Sequence, residues 1–455
     1  MLAANTGALI LAAGKGTRMC SPRPKALHTL LGEPMLRHVL KALIPLFGES
    51  VWTVIGHEAG MVRQAFADHA MRFVEQAEQL GTGHALTIAW PDLRAAGIER
   101  LLVINGDTPL VTSRLVEAFL RDAEGTDLTF ATLTVKDPGS FGRVIRQGGK
   151  AIAVIEARDY DPALHGPEPH EINAGLYMLR LPAIVPLLPR LTRDNKNGEY
   201  YLTDLVALAT EAGLMVNGLD CGHDPGLLGV NTPEELAGSE EILRRAIVHE
   251  HLAAGVIMHG SDCIRIGPNV VIEPGAELSG PCEIFGASRI AAGASVASHC
   301  CIRDSVVATR AVIHNFCHLE GAAIGPDCLI GPFARLRPGT VLEEQARAGN
   351  FVEMKKTRLG RSAKANHLTY LGDADVGAGT NVGAGTITCN YDGRHKHRTV
   401  IGADAFIGSN TALVAPVRIG DNAVVGAGST VTKNVPGGHL SVTRTQQKNL
   451  PWNKK

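Results

Sequence analysis

The sequence is poor in aromatic residues and in net charge, and both shortages exclude classes of function. Phe, Trp and Tyr make up 4% of the 455 residues, and 44 basic side chains nearly balance 45 acidic ones, for a formal net charge of -1. A near-neutral chain has no global positive field to attract a polyphosphate backbone, so we expect no nucleic-acid partner. Small anionic substrates remain compatible with this balance.

Long apolar runs and paired cysteines are also missing. The first residues, MLAANTGALILAAG, have no basic segment ahead of the apolar run at 8–13, and that run is far too short to span a bilayer. The nine cysteines are odd in number and include no CxxC pair, which favours a reducing compartment over a disulfide framework. We therefore expect a cytoplasmic protein without membrane insertion.

The composition favours two or three globular domains, and the first half of the chain indicates the class of one of them. Hydrophobic residues make up 45% of the chain, enough for separate cores at this length. Up to about Asn231, short β-branched runs alternate with amphipathic stretches. Such alternation is typical of βαβ units and predicts a parallel sheet covered by helices. The segments are 8–12, Met35–Phe47, Val51–Ile55, 58–69 and 101–104.

A connecting helix is predicted after this region. The segment begins with Thr232 as a cap and Pro233 at the first helical position, and early glutamates follow. It then runs without a breaker to Gly255. We therefore predict a linker helix at 232–254.

Beyond Gly255, aliphatic residues recur at every sixth position, with two shifts of register. A period of six fits neither a helix nor a flat strand, and it is typical of a hexapeptide parallel β-helix. Each hexad predicts one side of a triangular coil, with its aliphatic side chain inside. The domains are therefore predicted at 1–231, 255–440 for the β-helix, and 441–455 for a tail. The periodic residues are Ile266, Ile272, Leu278, Ile284, Ile290, Val296 and Ile302, then Ile324, Ile330, Leu336 and Leu342, and then Ile401, Ile407, Leu413, Ile419, Val425 and Val431.

A glycine-rich loop follows the first predicted strand. It reads LAAGKGTRM and is followed closely by Pro24-Lys25. Glycines let backbone N–H groups approach a phosphate, and Arg18 and Lys25 offset its charge. The spacing fails the Walker pattern, and no second GxG completes a dinucleotide fingerprint. By itself, the loop also fits a plain turn between a strand and a helix.

The string LAAGKGTRM with the later Pro-Lys resembles the signature of the sugar-nucleotide pyrophosphorylases. That resemblance implies Arg18 and Lys25 as catalytic cations, with Asp107 and Asn231 as ligands of Mg²⁺, which prefers hard oxygen donors. Asn105 departs from the family, because relatives often carry an aromatic residue there, and Arg158 stands where a Lys is common. The nucleotide-sugar contacts implied are Leu11, Ala12, Ala13, Gly14, Lys25, Gln76, Gly81, Thr82, Gly142, Glu156, Asn173 and Asn231.

A second set of polar strings lies where the hexads falter, between Leu342 and Ile401. The strings are GNFVEMKKTRLG, KANHLTYLGDADVG and GTNVGAGTITCNYDG, preceded by RLRPG. They resemble, in order and spacing, the acetyltransferase domain of the bifunctional UDP-N-acetylglucosamine pyrophosphorylase/glucosamine-1-phosphate N-acetyltransferase family. The resemblance then covers nearly the whole chain. It implies a Rossmann-like α/β nucleotidyltransferase domain followed by a left-handed β-helix that associates as a homotrimer.

By this resemblance, His367 is the general base of acetyl transfer. A neutral imidazole with an ordinary pKa near 6.5 can accept a proton from an amine, although a lone His also fits a structural hydrogen bond at a corner. The implied contacts of the sugar phosphate are Arg337, Lys355, Tyr370 and Asn381. The implied contacts of acetyl-CoA are Ala384, Asn390, Tyr391, Ser409, Ala427 and Arg444.

The implied activity is a two-step synthesis of UDP-N-acetylglucosamine, a precursor for peptidoglycan and lipopolysaccharide. Acetyl-CoA acetylates glucosamine-1-phosphate, and UTP with Mg²⁺ then uridylylates the product and releases pyrophosphate. Three alternatives remain open at this point. The β-helix is only a scaffold for oligomerisation, or the chain is a non-catalytic subunit that binds sugar nucleotides, or it is a zinc lyase resembling the β-helical carbonic anhydrases. The last would draw its ligands from His314, His318, His395 and His397.

Overall fold

The computed structural model describes residues 5–67 and 71–451, and these residues divide into two compact units. The first unit ends at Leu243 and the second begins at Arg244. Among the described residues, no helix is both long enough and apolar enough to cross a bilayer.

The first unit is built on a sheet of nine strands in the described residues, next to a separate two-stranded ribbon. The strands are β1 (Thr6–Leu11), β2 (Thr29–Leu30), β3 (Glu33–Pro34), β4 (Val51–Ile55), β5 (Arg72–Glu75), β6 (Arg100–Asn105), β7 (Leu128–Thr134), β8 (Arg143–Gln147), β9 (Lys150–Ile155), β10 (Glu171–Arg180) and β11 (Val216–Asp220). The main sheet has the order β11-β7-β10-β6-β1-β4-β5, with β8 paired to β10 and β9, and the ribbon is β2-β3.

The prediction of a parallel sheet is wrong for one part of it. Strands β6, β1, β4 and β5 are parallel, but β10 runs antiparallel to both β6 and β7, and β8 and β9 form an antiparallel hairpin. Parallel pairing requires a long crossover, usually a helix. Between β7 and β10 the chain makes no such crossover: it turns back within the β8–β9 hairpin, and β10 then runs in the direction of β9, antiparallel to β8 as well as to β6 and β7.

Helices cover both faces of this sheet. They are α1 (Met35–Phe47), α2 (Ala59–Ala65), α3 (Thr82–Ala95), α4 (Ser113–Asp122), α5 (Pro162–His165), α6 (Leu181–Ile184) and α7 (Asp204–Glu211), with 3₁₀ turns at Thr17–Met19, Lys25–Leu27, Val185–Arg190 and Pro225–Leu227. A further helix, α8 (Pro233–Ala253), begins in the first unit and continues past its last residue, Leu243. The predicted helix at Met35–Phe47 is confirmed, and its stripe of Leu36, Val39, Leu40 and Leu43 is buried. The helix predicted at 58–69 ends earlier, at Ala65, and residues 68–69 lie outside the described residues.

Helix α8 begins with the predicted cap. The Thr232 hydroxyl accepts the N–H of Glu235 at 3.2 Å, and the Glu235 carboxylate accepts the N–H groups of Asn231 and Thr232 at 2.5 and 3.2 Å. This reciprocal pair is a capping box, which satisfies N–H groups that the helix itself leaves free.

The second unit is a parallel β-helix with three faces of 11, 10 and 9 strands in the described residues. Face 1 contains Ile257–His259, Glu277–Ser279, Ser295–Val296, Val312–Ile313, Leu329–Ile330, Arg347–Asn350, Lys364–His367, Asn381–Val382, Phe406–Ile407, Val424–Val425 and Leu440–Ser441. Face 2 contains Ile264–Ile266, Cys282–Phe285, Cys301–Arg303, His318–Glu320, Arg335–Leu336, Glu353–Lys355, Tyr370–Gly372, Ile387–Cys389, Ala412–Val414 and Thr430–Val431. Face 3 contains Val271–Ile272, Arg289–Ile290, Val306–Val307, Ala323–Ile324, Val341–Leu342, Arg358–Leu359, Ala374–Val376, Thr399–Ile401 and Val417–Ile419.

The predicted hexads form the interior of this solenoid. Leu278 lies beside Val296, which lies beside Ile313, so successive coils take 18 and 17 residues. A coil of 17 has one side of five residues, which explains the shift of register after Ile302. Every periodic aliphatic residue predicted to face inward is buried.

The interruption of the hexads between Leu342 and Ile401 is not an interruption of the fold. Coils continue through this stretch, and their inward positions hold smaller or less regular side chains. The inward side chains and the number of residues on each side of the coil therefore change in this stretch, while the coils themselves continue. These buried positions are Ala348, Met354, Leu359, Ala365, Leu371, Val376 and Val382.

The corner where the chain leaves face 1 and enters face 2 is called here the first edge. Phe316, Phe333 and Phe351 occupy equivalent positions along it with φ of 63°, 59° and 55°, a conformation that side chains other than glycine rarely adopt. Their rings stack at 4.9 and 5.2 Å between centroids, and His299 extends the stack at 4.8 Å. The first edge therefore places residues of successive coils directly above one another.

Candidate active sites

A cavity of about 400 Å³ opens in the first unit beside the carboxyl ends of β1 and β6. Ligands of open α/β sheets characteristically bind at this end of the strands. The cavity gathers residues that are far apart in the sequence. Its lining includes the predicted residues Leu11, Ala12, Ala13, Gly14, Arg18, Lys25, Gln76, Gly81, Thr82, Asp107 and Asn231.

Two cations share oxygen partners on the wall of this cavity. The Lys25 ammonium donates to the Asp107 carboxylate and, at 2.8 Å, to Oδ1 of Asn231. Arg18 donates to the same Asn231 oxygen at 2.8 Å. Gly16 makes room for this cluster, because a Cβ on it would lie 2.7 Å from Cβ of Lys25. The cluster is therefore a fixed positive wall, suited to charge that develops on phosphate oxygens.

Asp107 and Asn231 fit the predicted magnesium site. Oδ1 of Asp107 is buried and has no hydrogen-bond partner among the described residues. Mg²⁺ commonly takes one or two protein oxygens and completes its shell with substrate phosphates and water. The unsatisfied Oδ1 of Asp107 is such a donor, and Oδ1 of Asn231 is a donor of the same kind that here accepts hydrogen bonds from Lys25 and Arg18.

A second cavity of about 210 Å³ adjoins the first and shares Arg18, Asp107 and Asn231 with it. The predicted residues Gly142, Glu156 and Asn173 line it. The Thr203 hydroxyl donates to Glu156 at 2.9 Å, and burial raises the pKa of the Glu156 carboxyl.

The two departures from the family pattern lie in different places. Asn105 lines both cavities and packs against Gly175, where a Cβ would lie 2.3 Å from Nδ2 of Asn105. Arg158 donates to Asn197 at 2.8 Å and lines neither cavity. Only the change at Asn105 therefore alters the shape of the site in this conformation.

Gln76 lines the larger cavity. It is 3% exposed, and its Nε2 lies 3.0 Å from the Gly81 carbonyl and 3.0 Å from Nδ1 of His84. Gly81 has a φ of 107°, and a Cβ on it would lie 2.4 Å from the carbonyl oxygen of Tyr200, so only glycine fits.

In the second unit, predicted acetyl-CoA contacts form a line along the first edge. Ala384, Ser409 and Ala427 occupy equivalent positions on successive coils, tied by backbone hydrogen bonds from Asn410 to Ala384 at 2.7 Å and from Gly428 to Ser409 at 2.8 Å. The Arg444 side chain donates to the Ala427 carbonyl at 2.5 Å. The structure thus brings these four predicted residues together.

His367 lies on this same edge, one coil before Ala384. It ends a strand of face 1 and pairs in register with Asn350, and its Nδ1 lies 2.6 Å from Oδ1 of Asn350. An amide oxygen only accepts hydrogen bonds, so Nδ1 carries the proton, and Nε2 has no hydrogen-bond partner among residues 5–67 and 71–451. A free Nε2 on an exposed imidazole is the arrangement that a general base requires.

The residues predicted to hold the sugar phosphate are divided between two faces. Lys355 and Tyr370 lie in strands of face 2 and Arg337 directly follows another, with its side chain donating to Glu353 at 2.9 Å. Asn381 begins a strand of face 1, so the structure does not place it with the other three.

Asn390 and Tyr391 are likewise separate from the line on the first edge. They follow the face 2 strand Ile387–Cys389 at its far end. Asn390 donates to Asp373 at 2.5 Å, and the Tyr391 hydroxyl donates to the Gly393 carbonyl at 2.7 Å. Within one chain, the predicted acetyl-CoA contacts therefore form two groups.

Comparisons with known proteins agree with both halves. The family model of the MobA-like NTP transferase domain matches residues 8–176, and that of the bacterial transferase hexapeptide (six repeats) matches residues 398–433. The bifunctional protein GlmU of Nitratidesulfovibrio vulgaris is 60% identical over 450 residues, which cover 99% of each chain. The GlmU proteins of Lawsonia intracellularis and Acinetobacter baumannii are 50% and 42% identical over 98% and 97% of each chain. The chain belongs to the GlmU family.

Membership in the GlmU family confirms the resemblance stated from the sequence and the predicted fold, a nucleotidyltransferase domain followed by a left-handed β-helix. It also confirms a bifunctional enzyme with uridylyltransferase and acetyltransferase activities, which together make UDP-N-acetylglucosamine. The alternatives of a scaffold, a regulatory subunit and a zinc lyase are therefore wrong as descriptions of this chain.

Several residues in contact with the candidate site residues were not predicted from the sequence. Ser140 accepts a hydrogen bond from Arg18 at 2.8 Å, Thr203 supports Glu156, Asn350 holds His367 and His84 holds Gln76. His84 follows Gly81-Thr82 by two positions, and that proximity was its one signal. Asn350 lies in the string GNFVEMKKTRLG, although nothing there indicated its role, and Ser140 and Thr203 carry no local pattern of their own.

Proposed function

We propose that the second unit acetylates glucosamine-1-phosphate and that the first unit then joins the product to the uridylyl group of UTP. The observation that carries this assignment is the line of Ala384, Ser409 and Ala427 along the first edge, because it leads to the free Nε2 of His367. A long thioester donor that lies along that line places its acetyl group beside the base that takes the proton of the attacking amine.

In the acetyl transfer, His367 takes the proton of the attacking amine at Nε2. The bond from the sugar nitrogen to the acetyl carbon forms as the bond from that carbon to sulfur breaks, and coenzyme A leaves as the thiol after taking up a proton. Asn350 keeps the imidazole in the required tautomer. Arg337 and Lys355 hold the sugar phosphate through charge-assisted hydrogen bonds.

In the uridylyl transfer, alignment and charge neutralisation do most of the catalysis. A phosphate oxygen of N-acetylglucosamine-1-phosphate attacks the α-phosphorus of UTP, and pyrophosphate leaves. Arg18 and Lys25 face the phosphates from a wall that is already positioned. Mg²⁺ held by Asp107 and Asn231 would supply further neutralisation of the UTP phosphates.

The uracil ring is recognised by a hydrogen-bond acceptor, Oε1 of Gln76, and a neighbouring donor, the N–H of Gly81. In the described part of the chain, no hydrogen bond uses Oε1 of Gln76 or the N–H of Gly81, and both residues line the cavity. Uracil presents N3–H and O4, the complementary pair. In the smaller cavity, Gly142, Glu156 and Asn173 contact the sugar.

We propose a homotrimer that associates through the β-helix. The support is the division of predicted contacts between faces, because copies packed side by side can bring Asn381 of one chain toward the face 2 residues of another. The proposed domains are 1–231, the linker 232–254, the β-helix 255–440 and the tail 441–455. A cytoplasmic location is supported by the nine cysteines, all of which are free.

The test incubates the purified chain with glucosamine-1-phosphate, acetyl-CoA, UTP and Mg²⁺, and follows free thiol and pyrophosphate separately. We expect thiol release to need only the first two substrates, and pyrophosphate release to need all four components. Pyrophosphate formed only when N-acetylglucosamine-1-phosphate is supplied, with no thiol release, would contradict the acetyl transfer. Thiol release without pyrophosphate under any combination would contradict the uridylyl transfer.

A further inference from the structure

The side-chain amide of Gln76 is held in one orientation. Its Nε2 lies 3.0 Å from the Gly81 carbonyl oxygen, which can only accept a hydrogen bond. The NH₂ end of the amide, and not the oxygen, must therefore face Gly81. This argument fixes the orientation by chemistry, because the opposite orientation would set two acceptors against each other.

His84 takes the second hydrogen of the same NH₂ group. Its Nδ1 lies 3.0 Å from Nε2 of Gln76, and since that nitrogen is a donor, Nδ1 of His84 must accept. The proton of the imidazole then resides on Nε2. His84 lies in the first turn of α3, which starts directly after Gly81, so one helix terminus supplies both acceptors.

Both hydrogens of the Gln76 amide are thus used inside the protein, and its oxygen remains for a ligand. Gln76 is 3% exposed, and the small open part of it belongs to the lining of the larger cavity. A buried amide whose donors are both satisfied presents to the cavity only an acceptor. Beside it, the Gly81 N–H presents a donor.

This pair distinguishes one pyrimidine from the other. Uracil offers a donor at N3 and an acceptor at O4, whereas cytosine offers an acceptor at N3 and a donor at N4. Cytosine would therefore place an acceptor against Oε1 of Gln76 and a donor against the Gly81 N–H. An amide turned over would present Nε2 to the cavity and remove half of this discrimination.

We propose that His84 is a positioning residue that sets the pyrimidine specificity of the nucleotidyl site. It does so by accepting the second amide hydrogen of Gln76 and keeping Oε1 directed at the base. Without His84, one amide hydrogen is left buried and unsatisfied, which weakens the hold on the amide. This inference rests on the proposed uridylyl transfer and adds to it the residue that fixes how the base is read.

The experiment compares kcat/KM for UTP and for CTP with N-acetylglucosamine-1-phosphate and Mg²⁺, following pyrophosphate release by the full chain. His84→Phe removes the acceptor and keeps a flat ring. We expect the preference for UTP over CTP to fall by roughly 10-fold, which corresponds to the loss of one buried hydrogen bond. His84→Leu tests the same loss with a different shape, in case the larger ring does not fit.

A conservative variant and a matched control separate positioning from general damage. His84→Asn places an amide oxygen near the position of Nδ1, so we expect it to restore most of the UTP preference. Thr87→Val changes an exposed residue on the next turn of α3 and should leave the preference as it was. Acetyl transfer by the second unit, measured on every variant, reports whether the chain is folded.

The outcomes are distinguishable. An unchanged ratio of UTP to CTP in active His84→Phe or His84→Leu overturns the role of His84 while leaving uridylyl transfer intact. A ratio that falls equally in His84→Asn also overturns it, because the acceptor would then be irrelevant. Failure of the unaltered chain to use UTP at all would refute the proposed function itself.

Discussion

The cavity of the first unit gathers side chains from distant parts of the chain, whereas the first edge of the second unit aligns residues one coil apart. Arg18 reaches Asn231 across 213 positions, but His367 reaches Asn350 across 17. Tertiary folding therefore builds the first site, and the repeat itself builds the second. We therefore expect a substitution in the cavity to disturb several hydrogen-bonded side chains at once. A substitution on the first edge should affect only its neighbours on adjacent coils.

The sharpest test of this difference is His367→Ala. We expect acetyl transfer to fall by roughly 10²–10⁴-fold because the general base is removed, while uridylyl transfer stays near its original rate. Thiol release and pyrophosphate release measure the two reactions. His395→Ala, an exposed histidine elsewhere in the same unit, is the matched control. Loss of both activities in folded His367→Ala protein would contradict the separation of the sites.

Asp107→Ala is the corresponding test for the cavity of the first unit. We expect uridylyl transfer to fall by roughly 10²–10³-fold, because the change removes both the partner of Lys25 and the proposed ligand of Mg²⁺. Acetyl transfer should persist. A titration of Mg²⁺ against rate should show a weaker apparent affinity, which Asp122→Ala, an exposed change on α4, should not. An unaltered titration curve would argue against Asp107 as a metal ligand.

Asn350→Leu tests whether a change on the first edge affects acetyl transfer alone. The imidazole of His367 would lose the acceptor at Nδ1, and we expect kcat of acetyl transfer to fall by about 10-fold with KM little changed. Asn350→Asp places a carboxylate at the same point and favours the protonated imidazole, so the acid limb of the pH–rate profile should move to higher pH. A fall in uridylyl transfer in either variant would show that the edge is not independent.

The smallest expected effect concerns Asp204, at the start of α7 in the first unit. Burial, with a further contribution from the Asp159 carboxylate, raises the pKa of Asp204 to about 6. Because the folded value lies above the ordinary value near 3.9, stability should fall as pH rises from about 4 to 6 and stay lower above it. Asp204→Asn removes this slope and should stabilise the protein by about 1 kcal/mol at pH 7.5, with no gain at pH 4.

Thermal unfolding followed by circular dichroism between pH 4 and 8 measures this effect. Asp92→Asn, an exposed change on α3, should leave the pH dependence as it is. A parallel offset of the two curves at every pH would mean that the Asp204 carboxyl does not titrate in the folded protein near 6.

The repeat made much of the second unit predictable from the sequence. Ile266, Leu278 and Val296 follow a period that only stacked coils produce, and all are buried. The antiparallel course of β10 was not predictable in this way. Its run of apolar residues is the same in either direction, because the central strands of a covered sheet are buried on both sides.

The residues of the candidate sites also differ in how far the sequence could predict them. Residues in distinctive strings, such as Lys25, Asp107 and His367, were found by resemblance, and their catalytic roles remain predictions. Ser140 and Thr203 were missed because each acts through a single hydroxyl that folding brings to a partner from another part of the chain. A serine or threonine that supports another side chain has no spacing rule, and only the tertiary structure identifies it.

The spacing of the coils sets the distance from His367 to the far end of the line on the first edge. Neighbouring strands lie about 4.8 Å apart, so the three coil steps from His367 to Ala427 span roughly 14 Å. If the acetyl donor binds along this line as proposed, the number of coils, and not any one side chain, sets the length of donor whose reactive end reaches the imidazole. Inserting one further 18-residue coil between Ser409 and Ala427 would move the anchoring end away by about 4.8 Å and favour a donor with a correspondingly longer arm.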